Sequence, residues 1–125
     1  MIADTTFLAH LVQERRSGRS GPARRFLAAH RTGEIRTSII SFAEIAVSFD
    51  TSEEAWEYFK FWRIYPLHRG IVNAAADVDR HLIRTGGRLG ENDNWIAGFG
   101  RYYREPIISR DAAFDRVPGI RRLGY

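Results

Sequence analysis

Four acidic residues from distant parts of the chain are the side chains best suited to do chemistry: Asp4, Glu44, Asp93 and Asp111. Asp4 and Asp111 each follow a short apolar segment that is typical of a strand, and Glu44 lies in the first helical turn after another. Asp93 begins a helix that leads back to the apolar segment around Ile107. In a parallel α/β arrangement these positions all lie at the carboxyl edge of the sheet, where such sheets bind their ligands. The sequence therefore predicts a cluster of carboxylates at that edge.

Carboxylates that converge repel one another, so either their pKa values rise or a cation lies among them. A set of oxygen ligands in a chain without cysteine suits a hard cation such as Mg²⁺ or Mn²⁺. Such a cation can polarise a phosphodiester oxygen and supply a hydroxide-like nucleophile. The chain has 19 basic and 15 acidic residues, so basic side chains dominate outside the cluster. That balance favours a nucleic-acid backbone as the partner.

Each acid also has an ordinary structural interpretation. Asp4 and Asp93 could each cap the helix that follows. Glu44 stands three residues after Ser41, which is the spacing of a capping box. Asp111 lies in a turn after a strand, where Asp is common. The argument for a site therefore rests on the predicted convergence of the four and not on any one of them.

The elements that must position these acids alternate between strand and helix patterns. Short strands are predicted at five places, which helical spacing separates: 1–3, 35–39, 63–67, 106–109 and 119–125. Strands separated by helices favour a parallel sheet covered on both faces. We therefore expect one α/β domain over residues 1–125, in three α/β/α layers around a short, mainly parallel sheet of four or five strands.

Composition narrows the class of protein. With 125 residues and 44% hydrophobic residues, the chain is long and apolar enough for one packed core. It has no cysteine, which excludes disulfides and thiolate metal sites, and its four histidines show no zinc-site spacing. No basic leader precedes an apolar run at the start, and no apolar run approaches the ~20 residues of a membrane span. We expect a soluble, cytoplasmic protein.

Four segments, in this order, resemble the PIN-domain nucleases and in particular the VapC toxins of type II toxin–antitoxin modules. They are "MIADTTFL", "TSIISFAEI", "GRLGENDNWIAGF" and "PIISRDAAFDRVPGIRRL". The first is similar to the family's opening hydrophobic-Asp-Thr-Ser/Asn, and the third to its Asp-x-x-Ile-Ala-Ala helix start. Together the segments span nearly the whole chain, and their order is more specific than any one of them.

The resemblance implies that the four acids named above form the catalytic, metal-binding cluster for Mg²⁺ or Mn²⁺. Thr6 stands where the family often has a Ser or Asn that supports the site, and Ser109 stands where it usually has Thr. Gly98 replaces the family's second Ala, which lowers helix propensity. Glu91 and Asn92 are additional polar groups whose role stays open.

The resemblance also implies a function. It is that of a metal-dependent endoribonuclease toxin in which water attacks an RNA phosphodiester, leaving 5′-phosphate and 3′-hydroxyl ends. The expected substrate is tRNA or another structured RNA. A small antitoxin is expected to block the active site, and the toxin is expected to form a homodimer.

Arginine supplies nearly all of the positive charge, since Lys60 is the only lysine. Arginine binds phosphate through its planar fork, so an RNA contact is predicted for several arginines. They are the arginine beside the last acid and three in a basic loop: Arg110, Arg15, Arg16 and Arg19. Solvated arginines and the codon preference of a GC-rich genome are the plainer explanations.

Other classes stay open as alternatives. One is a PIN-like module that binds RNA or a protein without cleaving. A phosphotransfer receiver would need a lysine near its phosphoacceptor Asp, but Lys60 lies in an aromatic helix. An Asp-x-Asp phosphatase is disfavoured because Thr5 and Thr6 follow Asp4. The aromatic residues of 56–65 cannot share one helix face, so those outside the core are candidates for a dimer interface or an antitoxin groove.

Overall fold

The computed structural model describes residues 1–31 and 33–125. Its strands form one sheet in the order β3-β2-β1-β4-β5, and every neighbouring pair is parallel. The strands are β1 Ile2–Ala3, β2 Arg36–Ser38, β3 Arg63–Tyr65, β4 Ile107–Ile108 and β5 Arg122–Leu123. The helices are α1 Thr5–Arg16, α2 Pro22–Ala28, α3 Ile39–Ala46, α4 Ser52–Tyr58, α5 Arg69–Thr85 and α6 Glu91–Tyr103, and a short 3₁₀ helix spans Ala112–Arg116.

Successive residues of the central strands face opposite sides of the sheet, as the pleat requires. Ala3 and Ile108 pack in a core with residues of α1 to α4. Ile107 packs against α5 and α6, and Ile2 packs against residues from the same two helices. Helices therefore cover both faces, which confirms the predicted three-layer α/β/α architecture with a parallel sheet.

The closest helix pair is α5 with α6, and a glycine permits it. A Cβ built on Gly98 would lie 2.7 Å from the Cβ of Ala75, well inside contact distance. Gly98, which replaces the family's alanine, is therefore required by the close approach of α5. This packing fixes α6, the helix that carries Asp93.

Helix α3 begins earlier than the sequence pattern predicted. The strand predicted over 35–39 ends at Ser38, whose side chain accepts a hydrogen bond from the backbone N–H of Ser41 at 3.0 Å and caps α3. The capping-box interpretation of Glu44 with Ser41 is therefore wrong, and Glu44 lies in the second helical turn. Its carboxylate is thus not used in capping.

Helix α6 also begins earlier than predicted. Gly90 is its N-cap, and Glu91 is its first residue. Asp93 is the third residue of the helix, so its interpretation as the N-cap is wrong. A carboxylate in the first turn still lies near the positive end of the helix dipole, which favours its ionised form.

The basic loop between α1 and α2 is held by an acidic residue of α1. The Glu14 carboxylate accepts hydrogen bonds from the backbone N–H groups of Gly21, Ala23 and Arg24 at 2.8–3.1 Å. Glu14 therefore caps α2 in place of Gly21, the N-cap residue, which has no side chain to do so.

Over the residues that the structure describes, no helix is both long enough and apolar enough to cross a bilayer.

Candidate active site

Asp4 forms the floor of the site. It follows the central strand β1 directly and is only 4% exposed. Its Oδ1 accepts a hydrogen bond from the backbone N–H of Phe7 at 2.7 Å, so Asp4 caps α1 and belongs to the acidic site at once. Ser109, buried at the end of β4, accepts a hydrogen bond from the Asp111 backbone N–H at 2.9 Å.

Burial raises the pKa of Asp4 above its ordinary value. The Ser109 hydroxyl and the Phe7 backbone N–H lower it again in part, because both hydrogen-bond the carboxylate. The charges of Asp93 and Asp111 raise the pKa of Asp4 further. Burial and neighbouring acids therefore outweigh the hydrogen bonds that favour the ionised form.

Glu44 lies exposed on α3 and is held by a threonine of α1. The Thr5 hydroxyl donates a hydrogen bond to Glu44 Oε1 at 2.6 Å. Thr6, for which the sequence predicted a supporting role, is exposed on the next position of the helix. Successive helical residues point about 100° apart. The support that we expected from Thr6 therefore comes from Thr5.

Asp93 is half-buried in the first turn of α6. Burial raises its pKa, and the charges of Asp111 and then of Glu44 raise it further. Asp111 is exposed, and its Oδ1 accepts a hydrogen bond from the backbone N–H of Ala113 at 2.8 Å, which caps the 3₁₀ helix. Its turn interpretation is therefore correct, and it does not prevent Asp111 from facing the other acids.

The four acids form one electrostatic group. Asp4 interacts with Asp93 and Asp111, while Asp93 interacts with Asp111 and Glu44. Solvent exposure increases across the group: Asp4 is buried, Asp93 is half-buried, and Glu44 and Asp111 are exposed. The four acids therefore lie near enough for their charges to affect one another's pKa values, and their role as a catalytic, metal-binding set stays a prediction.

Positive charge acts on these acids from beyond ion-pair distance, as that of Arg122 does on Asp111. In the described parts of the chain, none of the four forms an ion pair with an arginine, lysine or histidine. Neither are three or more His, Cys, Asp or Glu side chains in residues 1–31 and 33–125 already arranged to hold a metal ion. The predicted set of four metal ligands is therefore not present as a ready-made cage. All-oxygen donors with uncompensated charge nevertheless fit Mg²⁺, which is usually held by one or two carboxylates and several waters.

Two arginines flank the acids on the β4–β5 side. The Arg110 guanidinium lies 4.5 Å from the ring centroid of Tyr125. Arg122 forms a two-point ion pair with Asp115 at 3.0 and 2.8 Å, which holds the pKa of Arg122 above its usual range, and the nearby Asp111 acts in the same direction. The sequence analysis missed Arg122, because only the pairing of β5 with β4 brings it to the site.

The arginines of the basic loop lie elsewhere. Helix α1 starts beside Asp4 and runs away from it, so Arg15 and Arg16 are about 16 Å or more along the helix axis from the acids. The Arg15 guanidinium lies over the Tyr58 ring at 5.5 Å, and that of Arg16 over Phe49 at 4.8 Å. Arg19 is exposed beyond the end of the same helix. The structure does not bring these predicted RNA contacts to the acidic site.

Glu91 and Asn92 also stand apart from the cluster. Both are exposed in the first turn of α6. Glu91 lies two positions from Asp93, about 200° around the helix, and lines a recess with Asp79 and Arg88 of the neighbouring segment. It therefore faces away from the other carboxylates.

Comparison with known proteins places this fold in a class. The DNA-bound VapBC from Salmonella typhimurium superposes with a TM-score of 0.83 at 17% identity, over 98% of this chain and 96% of that chain. FitAcB from Neisseria gonorrhoeae gives 0.79 at 14% identity, over 98% and 95%. VapBC2 from Rickettsia felis, bound to a promoter DNA fragment, gives 0.78 at 15% identity, over 99% and 97%. The superpositions establish a common fold, and at identities this low they establish the fold alone.

The family follows from the sequence match. The PIN domain model matches residues 1–120, so the chain belongs to the PIN-domain family. No curated protein matches the chain significantly. The resemblance seen in the four sequence segments is confirmed, and a further structural relative, described as a toxin–antitoxin complex from Klebsiella pneumoniae, gives a TM-score of 0.71 at 20% identity, over 95% and 93% of the two chains.

Proposed function

We propose that this chain is a Mg²⁺- or Mn²⁺-dependent endoribonuclease that acts as the toxin of a toxin–antitoxin pair. One observation carries the proposal. The charges of Asp4, Glu44, Asp93 and Asp111 act on one another at the carboxyl edge of a PIN fold, and within the described residues none of the four is neutralised in an ion pair. PIN domains of VapC-type toxins are generally metal-dependent nucleases, which supports the same conclusion.

The four carboxylates would hold the cation, which would lower the pKa of an attacking water and offset charge on the phosphate. Asp4 is fixed by the Phe7 N–H and by Ser109, so its position is set before any ligand binds. Thr5 fixes Glu44 in the same way. Preorganised groups of this kind favour a charged transition state without reorganisation during the reaction.

RNA is the substrate that we propose, and tRNA or another structured RNA is the expected class. Arg110 and Arg122 place positive charge beside Asp111, where a phosphodiester would meet the acids. Arg15, Arg16 and Arg19 would contact only a substrate long enough to reach the far end of α1. A folded RNA meets that requirement better than a dinucleotide does.

Replacing Asp93 with Asn tests the proposal. Asp93→Asn keeps the size of the side chain and removes its charge, so we expect cleavage of a labelled tRNA pool to fall at least 100-fold, as on loss of one catalytic electrostatic group. The matched control is Asp77→Asn, which removes an exposed aspartate on α5 and should cut at the parental rate. Both variants should melt within about 2 °C of the parent. Cleavage by Asp93→Asn at the parental rate would contradict the role of Asp93.

The alternative function is a PIN-like module that binds RNA or protein without cleaving. The lack of a ready-made ligand cage within the described residues favours it. Calorimetric titration with Mn²⁺ separates the two functions. A nuclease should give saturable heat that Asp93→Asn weakens, whereas a module without a metal site should give none.

We further propose that a small antitoxin covers the acidic site, that the chain forms a homodimer and that it works in the cytoplasm. A structural relative from Klebsiella pneumoniae is described as a toxin–antitoxin complex, which supports the first point. Val47, Trp56 and Phe61 leave apolar surface exposed on and around α3 and α4, which suits a protein partner. Co-purification with the product of a neighbouring short gene tests the antitoxin, and sedimentation equilibrium tests the dimer.

A further inference from the structure

Tyr125 holds Arg110 in a fixed position at the rim of the acidic site. The guanidinium carbon of Arg110 lies 4.5 Å from the centre of the Tyr125 ring, and Arg110 Nε donates to the Tyr125 carbonyl oxygen at 3.3 Å. Arg110 immediately precedes Asp111 and is exposed. Two contacts from one residue therefore hold an arginine that would otherwise move freely in water.

Tyr125 is itself held by the core. Its hydroxyl hydrogen-bonds His10 Nδ1 at 2.7 Å, and its ring packs edge-on against Phe7 at 4.8 Å between centroids. Burial raises the pKa of Tyr125 to about 12, and the charge of nearby Asp4 acts in the same direction. The ring is thus a neutral, rigid platform between the core and the acids.

We propose that Tyr125 is a positioning residue that presents Arg110 to an RNA phosphate beside the acidic cluster. This inference rests on the proposed nuclease function. Only Nε of Arg110 hydrogen-bonds a protein group among residues 1–31 and 33–125, so both terminal nitrogens have donors without a partner in this part of the chain. A guanidinium in this state can bind a phosphate through two parallel hydrogen bonds.

The hydrogen bonds of Arg122 explain why we assign phosphate binding to Arg110 instead. Its Nε and Nη2 pair with Asp115, and its Nη1 donates to the Ser109 carbonyl oxygen at 3.3 Å. Every nitrogen of Arg122 already has a protein partner. Arg122 is thus held by three hydrogen bonds to protein groups, whereas neither terminal nitrogen of Arg110 hydrogen-bonds a protein group within the described residues.

The stacked geometry matters for binding. A free arginine side chain loses rotamer freedom when it binds phosphate, and a side chain that is already ordered loses less. A guanidinium that lies over an aromatic ring is also attracted by the negative face of that ring, which keeps Arg110 in place. Removing the ring should weaken RNA binding even though the charge of Arg110 remains.

The test measures RNA affinity and cleavage in six variants. The Kd of a fluorescent oligoribonucleotide is measured by anisotropy in EDTA at several salt concentrations, and KM and kcat are measured with Mg²⁺. Arg110→Ala should weaken binding about tenfold and lower the salt slope by about one phosphate contact. Tyr125→Leu should weaken binding about two- to fivefold through KM, with kcat within twofold.

The double variant Arg110→Ala/Tyr125→Leu should bind no more weakly than Arg110→Ala alone, because Tyr125 acts through Arg110. Arg110→Lys keeps the charge and the fold but loses the planar fork, so it should weaken binding about threefold with an unchanged salt slope. Arg84→Ala removes an exposed arginine elsewhere and should lower affinity far less than Arg110→Ala does. Tyr125→Phe keeps the ring and should stay within twofold of the parent.

The outcomes are distinct. If the parent cleaves RNA but Arg110→Lys and Tyr125→Leu bind it as tightly as the parent does, this inference is overturned and the proposed function stands. Additive effects of Tyr125→Leu and Arg110→Ala would also overturn it, since they would assign Tyr125 a general structural role. If Tyr125→Leu does not fold, parental binding by Arg110→Lys still decides against the inference. If the parent neither binds nor cleaves RNA, the proposed function fails and this inference fails with it.

Discussion

At the scale of single residues, two of the four acids, Asp4 and Asp111, combine helix capping with a place in the acidic site. Asp4 caps α1 through Phe7 while facing Asp93, and Asp111 caps the 3₁₀ helix while facing the same acid. A cap needs an oxygen held in a fixed place, and so does a ligand for a cation. The ordinary and the functional interpretations of these residues are therefore compatible.

The pair Thr5 and Thr6 gives a prediction at this scale. Thr5→Val removes the hydrogen bond to Glu44 and should lower kcat/KM for RNA about tenfold, because a hydrogen bond to a charged group contributes about 1.5–3 kcal/mol. Thr6→Val makes the same chemical change on an exposed neighbour and should leave kcat/KM unchanged. Equal losses in the two variants would contradict the assignment of support to Thr5.

The sequence predicted the four acids but not all of their neighbours. Their motif positions and the strand pattern were enough to place Asp4 and Asp93 at one edge. The choice between Thr5 and Thr6 depends on the angle at which α1 leaves β1, which a sequence pattern does not contain. The position of Arg122 depends on the pairing of strands, which brings it to Ser109, 13 residues away in the sequence. No local spacing in the sequence shows that contact.

At the scale of elements, the strands were predicted more reliably than the helix starts. The sequence pattern located all five strands, and the signal is clearest for β1 and β4, whose apolar residues are buried on both faces. The starts of α3 and α6 were wrong, since several Ser, Asp and Gly residues nearby are plausible caps. Ser38 and Gly90 are the N-caps of α3 and α6 because the preceding strand and loop end at these residues.

The contact between α5 and α6 gives a second prediction. Gly98→Ala places a methyl group 2.7 Å from the Cβ of Ala75 and should destabilise the fold by about 1–3 kcal/mol in urea unfolding. Asn92→Ala, on the exposed face of the same helix, is the control and should change stability by less than about 0.5 kcal/mol. Adding Ala75→Gly should recover much of the loss; no recovery would place the strain elsewhere.

Glu14 gives a prediction with a defined pH dependence. Burial acts to raise the pKa of Glu14, but the N–H groups of Arg24, Ala23 and Gly21 hold it below its ordinary value. A lowered folded pKa stabilises the fold above the unfolded pKa, and that stability is lost as the pH falls through the folded pKa. Glu14→Gln should therefore cost about 1 kcal/mol at pH 7, as for other lost caps, and much less at pH 3. Urea unfolding at both pH values measures this, and an equal cost at both would contradict a charged cap.

At the scale of the whole molecule, the acidic site lowers the stability of the metal-free fold. Buried Asp4 and half-buried Asp93 both have pKa values raised above the ordinary range, so each is more costly to ionise in the fold than in water. The fold is more stable when these carboxyls are protonated, and that stability is lost as the pH rises through their pKa values in the fold. At neutral pH the molecule therefore holds charge that a bound cation would offset.

This balance gives a prediction for thermal unfolding. In EDTA at pH 7.5, Asp4→Asn should melt higher than the parent, because Asn keeps the cap to Phe7 and removes the buried charge. A relief of about 1 kcal/mol corresponds to about 4 °C. Adding Mg²⁺ should raise the Tm of the parent and leave that of Asp4→Asn nearly unchanged. A lower Tm for the variant in EDTA would show that the Asp4 charge stabilises the fold.

The position of β1 determines how the activity of this protein can be controlled. β1 is the middle strand of the five, and the backbone N–H of Asp4 donates to the Ile108 carbonyl oxygen at 3.1 Å. Amides in the centre of a sheet exchange with solvent only when the whole domain opens, whereas edges and loops open locally. The floor of the site therefore cannot be loosened without unfolding the molecule. If the proposed function holds, a regulator would act by covering the carboxylates, and its release would return a site whose floor had kept its shape.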